Sequence, residues 1–204
     1  MKKIEIKCSS LCCDSYNNSP EISEVKDLSF SIHRNPDALG LIFVVFRGTA
    51  NKRNILRDLN CIPKPIGNGV WAHWGFVSAF NALLPAVKQA LTEHYINSGS
   101  GIIFCGHSLG GAIAVLMANH FKRKAITFGC PRVYARWSKD PNWTDDHGRV
   151  HMRVICDDDP VPMGPRILYR HRNPVTINLT DDDGGIDAAD HSMSVYNERL
   201  EMLR

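Results

Sequence analysis

The sequence predicts an α/β fold: a mainly parallel central sheet with helices packed on both of its faces. Three observations predict it. Stretches with strand character alternate with stretches of helical period along the chain. Two of the strand stretches, 39–46 and 102–105, are apolar almost without interruption, as strands covered on both faces are. A glycine-rich turn joins the second of them to an apolar segment of helix-forming composition at 112–118, so strand, turn and helix follow one another within 102–118.

Taken in order, Ile4-Glu5-Ile6 alternates apolar and charged residues, and Leu28-Ser29-Phe30-Ser31-Ile32 alternates again before the turn signal Asn35-Pro36-Asp37. Both are expected as short, half-buried edge strands. The 39–46 strand stops abruptly at Arg47-Gly48-Thr49. From Phe76 the apolar positions 76, 80, 83, 84, 87, 91 and 95 recur every three or four residues, which predicts a long helix on that strand, kinked or restarted by Pro85. Gly99-Ser100-Gly101 ends it. Residues 125–128, 150–155 and 175–179 give further strands and 191–203 a closing helix. The chain has 204 residues, fewer than the roughly 250–300 at which a hydrophobic core divides, so one domain over 1–204 is expected.

Composition removes several function classes. Apolar residues at 44% and charged residues at 22% are ordinary globular usage, which excludes a disordered or fibrous chain. The charge balance, 24 − 21 = +3, is scattered rather than gathered in one block, so no nucleic-acid partner is expected and attraction to anionic lipid is weak. The longest apolar runs fall short of the roughly 18–20 residues of a membrane span, so no transmembrane segment is expected. The start Met1-Lys2-Lys3 is positive, yet Cys8-Ser9-Ser10 stands where an export signal needs its apolar region. Seven cysteines, an odd number, favour free thiols in a reducing compartment, and a cytoplasmic location is expected. Cys8, Cys12 and Cys13 have no second cysteine or histidine pair at zinc spacing, so no metal is expected.

The chemistry centres on Gly106-His107-Ser108-Leu109-Gly110-Gly111, between the second buried strand and its helix. A serine at the apex of so sharp a turn requires neighbours two residues away that lack side chains, and Gly106 and Gly110 supply them. The helix amino terminus below it presents free N–H groups to a developing oxyanion. A serine hydroxyl is a poor nucleophile at neutral pH and needs an imidazole oriented by a carboxylate. On such a fold the acid and then the base follow the serine, which leaves His171 and His191 beyond the run Asp157-Asp158-Asp159. His171 stands between Arg170 and Arg172, whose charges oppose an imidazolium, so His191 is preferred, reaching back through the stretch that holds Gly184-Gly185. His73 and His107 are expected to be structural.

Several separated segments resemble the class 3 lipases, the α/β hydrolases that include secreted fungal triacylglycerol lipases. Val44-Val45-Phe46-Arg47-Gly48-Thr49 is similar to the family's oxyanion strand and loop, with Asp58-Leu59 after it. His73-Trp74-Gly75-Phe76, Thr127-Phe128-Gly129-Cys130-Pro131-Arg132-Val133, Asp159-Pro160-Val161-Pro162 and His191-Ser192-Met193-x-x-Tyr196 follow in the family's order. The resemblance implies an α/β-hydrolase fold with a short lid, Ser108 as nucleophile, Asp159 as acid and His191 as base. It also implies an oxyanion hole from the Leu109 N–H together with Thr49, and no cofactor. The lid corresponds to residues 50–61, where Ile55, Leu56 and Leu59 share one side of a helical projection suited to transient contact with a lipid interface. The expected activity is hydrolysis of acylglycerol or phospholipid esters through an acyl-enzyme. An acyltransferase or thioesterase on the same triad, and a lipase-like module that binds without turnover, are the alternatives.

Overall fold

A computed structural model describes residues 2–17, 22–25, 27–35, 40–48, 62–93, 101–140, 151–172, 174–180, 185 and 188–203. Strand β3 (Leu41–Phe46) is buried on both faces, and the alternation of its side chains divides the core in two. Val44 and Phe46 face helices α2 (Trp74–Glu93) and α3 (Leu109–Phe121), while Phe43 and Val45 face α1 (Lys2–Tyr16) and α4 (Met193–Met202). Strand β6 (Gly101–His107) repeats the division, with Ile102 and Phe104 on the first face and Ile103 and Cys105 on the second. Continuous apolar runs are what a two-sided strand requires, since a polar residue at any position would be buried.

The main sheet has seven strands in the order β1-β2-β3-β6-β7-β9-β11. The added members are β1 (Ile22–Val25), β2 (Leu28–Arg34), β7 (Lys124–Phe128), β9 (His151–Cys156) and β11 (Val175–Leu179). All neighbours from β3 to β11 run parallel, and β1 and β2 are antiparallel. The register places Phe46 opposite Gly106 and His107 opposite Phe128, so the carboxyl ends of β3, β6 and β7 lie side by side. Ligands bind beyond the carboxyl ends of the strands in open sheets of this kind, and the candidate site lies there.

The structure corrects three expectations. Ile4-Glu5-Ile6 belongs to α1 rather than to a strand: Glu5, Cys8, Ser9, Cys12 and Ser15 are buried at spacings of three and four, and that longer helical period outweighs alternation over three residues. Strand β2 is not the edge, because β1 pairs outside it through Ile22 opposite Ser31 to Val25 opposite Leu28. The long helix α2 runs as one element across Pro85, which is exposed, so the helix is not restarted there. A second, four-stranded sheet, in the order β10 (Tyr169–Arg170), β8 (Tyr134–Ala135), β5 and β4, is a feature the sequence reading does not contain. Its hairpin joins β4 (Pro63–Gly67) to β5 (Val70–His73) through Asn68 and Gly69, both at positive φ, 52° and 76°. Asn-Gly between apolar residues is the signal that would have found it.

Candidate active site

The turn between β6 and α3 holds Ser108 at φ 57° and ψ −124°, in the left-handed region that strains a non-glycine residue. Its surroundings leave no alternative. A Cβ on Gly106 would collide with the backbone of Gly110, and one on Gly110 with the carbonyl of Phe46. Glycine at both positions lets α3 start directly against the ends of β3 and β6. The Ser108 N–H donates to Phe128 O at 3.0 Å, which ties the turn to β7. Although Ser108 occupies the cap position of α3, its hydroxyl makes no capping bond. It turns instead toward the imidazole of His191.

That imidazole closes the constellation. His191 Nε2 is 2.8 Å from Ser108 Oγ, and His191 Nδ1 is 2.7 Å from Asp159 Oδ2. A carboxylate accepts and does not donate, so the Asp159 contact holds the proton on Nδ1 and leaves the Nε2 lone pair facing the serine hydroxyl. Ser108, Asp159 and His191 are 1%, 1% and 4% exposed, which shields this chain of bonds from competing water. The three expected side chains therefore meet from positions separated by 83 and 32 residues in the chain. Asp157 is exposed and Asp158 half-buried, as neighbours of the selected acid.

Each member is fixed by a second set of contacts. Asp159 sits at the end of β9, where Val161 N–H donates to Oδ1 at 2.9 Å and Tyr196 O–H donates to Oδ2 at 2.7 Å. The Tyr196 oxygen in turn accepts from Cys156 N–H at 3.1 Å. Burial, and then the Asp159 charge, push the Tyr196 phenol well above its ordinary range, so it stays a donor. His191 closes a short 3-10 turn, Ala188–His191, just before α4, and Arg199 on α4 donates to Asp190 Oδ1 at 2.8 Å. Gly129, at φ 55°, makes room: a Cβ there would lie 3.0 Å from Asp159 Oδ2 and 3.0 Å from His191 Nδ1.

On the opposite side Tyr16 of α1 reaches the elbow, with its hydroxyl 2.9 Å from His107 Nδ1 and in contact with the Gly48 N–H. The Arg47 guanidinium lies 5.7 Å from the Tyr16 ring centroid, and the His107 ring packs 4.6 Å from that of His191. His107 and His73 are packing residues, the latter 4.3 Å from Phe76 and 5.3 Å from Tyr169 between ring centroids. Tyr16, Gly129 and Tyr196 are the site residues to which sequence reasoning assigned no role. Tyr196 lies five residues after His191, and only its contact with Asp159 reveals its part.

Leu109 is the first residue of α3, and its N–H has no partner within the helix because the first intrahelical acceptor, Ser108 O, takes Ala112 N–H at 3.2 Å. One expected oxyanion donor is thus at the elbow. Thr49, and the lid residues Ile55, Leu56 and Leu59, lie outside the described residues. Among the described residues no group of histidine, cysteine or acidic side chains is arranged to hold a metal ion, and no helix is long and apolar enough to cross a membrane.

Fold and site together define an α/β hydrolase with a serine, histidine and aspartate in hydrogen-bonded series. The family described as Lipase (class 3) matches residues 43–169, more than half of the sequence, and the chain belongs to that family. It is 32% identical over 143 residues to secreted mono- and diacylglycerol lipase 1 of Fusarium solani, an alignment covering 65% of this chain and 42% of that one. It is 26% identical over 166 residues to the chloroplastic phospholipase A(1) DAD1 of Arabidopsis thaliana, covering 68% and 37%. The chain thus spans less than half the length of these relatives. Among solved structures, a Rhizomucor miehei lipase–propeptide complex superposes with a TM-score of 0.73 at 21% identity over 93% of this chain and 77% of that one.

Proposed function

We propose that the chain is a serine carboxylic-ester hydrolase acting on acylglycerol or phospholipid esters. One observation carries the reading: Ser108 Oγ, His191 and Asp159 form a continuous buried series with contacts of 2.8 and 2.7 Å. In this mechanism His191 Nε2 takes the hydroxyl proton as Ser108 Oγ attacks the ester carbonyl carbon. The negative charge that develops on the carbonyl oxygen is met by the Leu109 N–H and, we propose, by the N–H and hydroxyl of Thr49. Collapse expels the alcohol, which leaves with the proton that His191 returns. Water, deprotonated by the same imidazole, then attacks the acyl-serine; the bond from the acyl carbon to Ser108 Oγ breaks, His191 returns the proton to Oγ, and the acid is released. Asp159 stays ionised throughout and steadies the imidazolium.

The substrate class is supported by the family and by the two relatives, one a mono- and diacylglycerol lipase and the other a phospholipase. The proposal includes a short lid at residues 50–61 whose Ile55, Leu56 and Leu59 touch the lipid interface during turnover. A reducing compartment is also proposed, supported by six free cysteines among the described residues. After isolation without reductant, the chain unfolded in denaturant should then yield all seven thiols to a thiol reagent, whereas cross-linked cysteines would argue for export. The test of the chemistry is Ser108→Ala on a soluble short-chain ester. Turnover should fall by at least about three orders of magnitude, and Thr49→Ala should cost about 2–4 kcal/mol in transition-state binding. Undiminished hydrolysis by Ser108→Ala would overturn the assignment.

A further inference from the structure

Two chain segments that leave the active site carry a surface for which the proposed chemistry has no use. One runs from Gly129 through residues 131–138 and the other from Asp159 through 161–170. They pair where β8 (Tyr134–Ala135) meets β10 (Tyr169–Arg170), and Arg136 N–H donates to Leu168 O at 2.9 Å beside that pairing. Three guanidiniums gather there. Arg132 Nη1 and Arg136 Nη2 both donate to the carbonyl of Arg166, at 3.3 and 3.1 Å, and Arg166 Nη2 lies 3.5 Å from Met163 Sδ.

Among the described residues none of these three is paired with a carboxylate. Segments 131–140 and 161–172 hold Arg132, Arg136, Lys139, Arg166, Arg170 and Arg172 against a single acid, Asp140. That acid is engaged elsewhere, with Arg170 at 3.0 Å and Arg172 at 3.5 Å. Interleaved with the arginines are apolar side chains that folding leaves in water. Ile167 is 82% and Trp137 55% exposed, and Leu168 and Met163 are exposed beside them.

Gathering like charges on one carbonyl without a counter-charge is unfavourable, and so is hydrating a large aromatic and three aliphatic side chains. A phospholipid surface relieves both. Guanidiniums bind phosphate oxygens in pairs, the indole ring suits the headgroup boundary, and aliphatic side chains enter the acyl region. A nucleic acid would use the arginines and leave Ile167 and Leu168 exposed. We propose that this ribbon docks the protein on anionic phospholipid, with Arg132, Arg136 and Arg166 on the phosphates and Trp137 and Ile167 among the upper acyl chains. As a docking surface for catalysis it rests on the lipid-ester reading, and because one segment starts at Asp159 and the other at Gly129, against Asp159 and His191, it holds the active site toward the substrate layer.

The experiment is co-sedimentation of the full chain carrying Ser108→Ala with phosphatidylcholine vesicles, with and without roughly a third phosphatidylglycerol. Binding should require the anionic lipid and fall steeply as salt rises. Arg132→Gln, Arg136→Gln and Arg166→Gln together should weaken it about a hundredfold, from the usual contribution of a basic residue at such a surface. Trp137→Ser with Ile167→Ser should weaken it further. Equal binding to both vesicle types, or undiminished binding by the arginine variant, overturns the proposal. So does tight binding of single-stranded DNA combined with indifference to the Trp137 and Ile167 changes. Far-UV circular dichroism checks that the variants fold, and the salt titration of the chain with its arginines intact decides the matter if they do not, a flat response being the negative result. Turnover of a soluble ester by the unmodified chain is measured separately, so a failed hydrolase assignment and a failed docking surface give different results.

Discussion

Two histidine environments share a residue type and differ in electrostatics: one is buried beyond the carboxyl end of the sheet, the other half-buried on the segment that follows β10. His191 stands between a hydroxyl and a carboxylate. His171 donates through Nε2 to Pro162 O at 2.9 Å, with the charges of Arg153 and Arg132 nearby. Its pKa is pushed down to about 4, by burial first and by Arg153 second. His151, the first residue of β9, lies 2.8 Å from Thr127 Oγ1 and is also pushed well down, by burial, His171 and Arg153. Burial, reinforced by neighbouring positive charge, thus makes imidazole a poorer base. What distinguishes the catalytic candidate is the carboxylate of Asp159, 2.7 Å from its Nδ1, which fixes the ring with Nε2 toward Ser108.

The largest expected effect breaks the comparison directly. His191→Ala should lower kcat on a soluble ester by about three to four orders of magnitude, and His171→Ala should leave it within several-fold. Comparable losses from the two variants would mean that the base has been misplaced. A second measurement sharpens the electrostatics. Between the ordinary histidine value of about 6.5 and about 4, the unfolded chain binds a proton at residue 171 that the folded chain refuses, so stability rises with pH across that window. The contribution is fully present above about pH 6.5 and lost as pH falls toward about 4, roughly 3 kcal/mol in all, with His151 acting in the same direction. Urea midpoints across this range should fall less steeply toward acid in His171→Gln. The smallest effect concerns the carboxylate itself. Tyr196→Phe removes one donor from Asp159 and should reduce kcat about tenfold with KM on a soluble ester little changed, a split that general loosening would not produce.

Much of this was legible in one dimension. The two-sided strands, the glycines of the elbow and the order serine, acid, base are local or ordinal features. They arise from hydrophobic period, from the absence of a Cβ, and from a chain order that the fold preserves. The Arg170-His171-Arg172 sequence pointed away from His171 and toward His191, the ring that the structure hydrogen-bonds to Ser108, though the charges that depress His171 come from Arg153 and Arg132 across the fold. Ile4-Glu5-Ile6 misled because three residues cannot distinguish a period of two from one of 3.6. The second sheet escaped because strands of two residues, such as Tyr134–Ala135, carry no periodicity, and only its Asn68-Gly69 turn was readable.

The amino-acid sequence by itself determined which segments could be buried on two faces, where the chain must turn without side chains, and which nucleophile, acid and base were on offer. Only tertiary structure decided that α1 would bring Tyr16 to the elbow, that Tyr196 would lend its proton to Asp159, and that Gly129 would leave space between acid and base. The reason is range. Periodicity and turn chemistry act over a few residues, whereas the charge an imidazole feels depends on whatever the fold carries to within a few ångströms, from any distance along the chain.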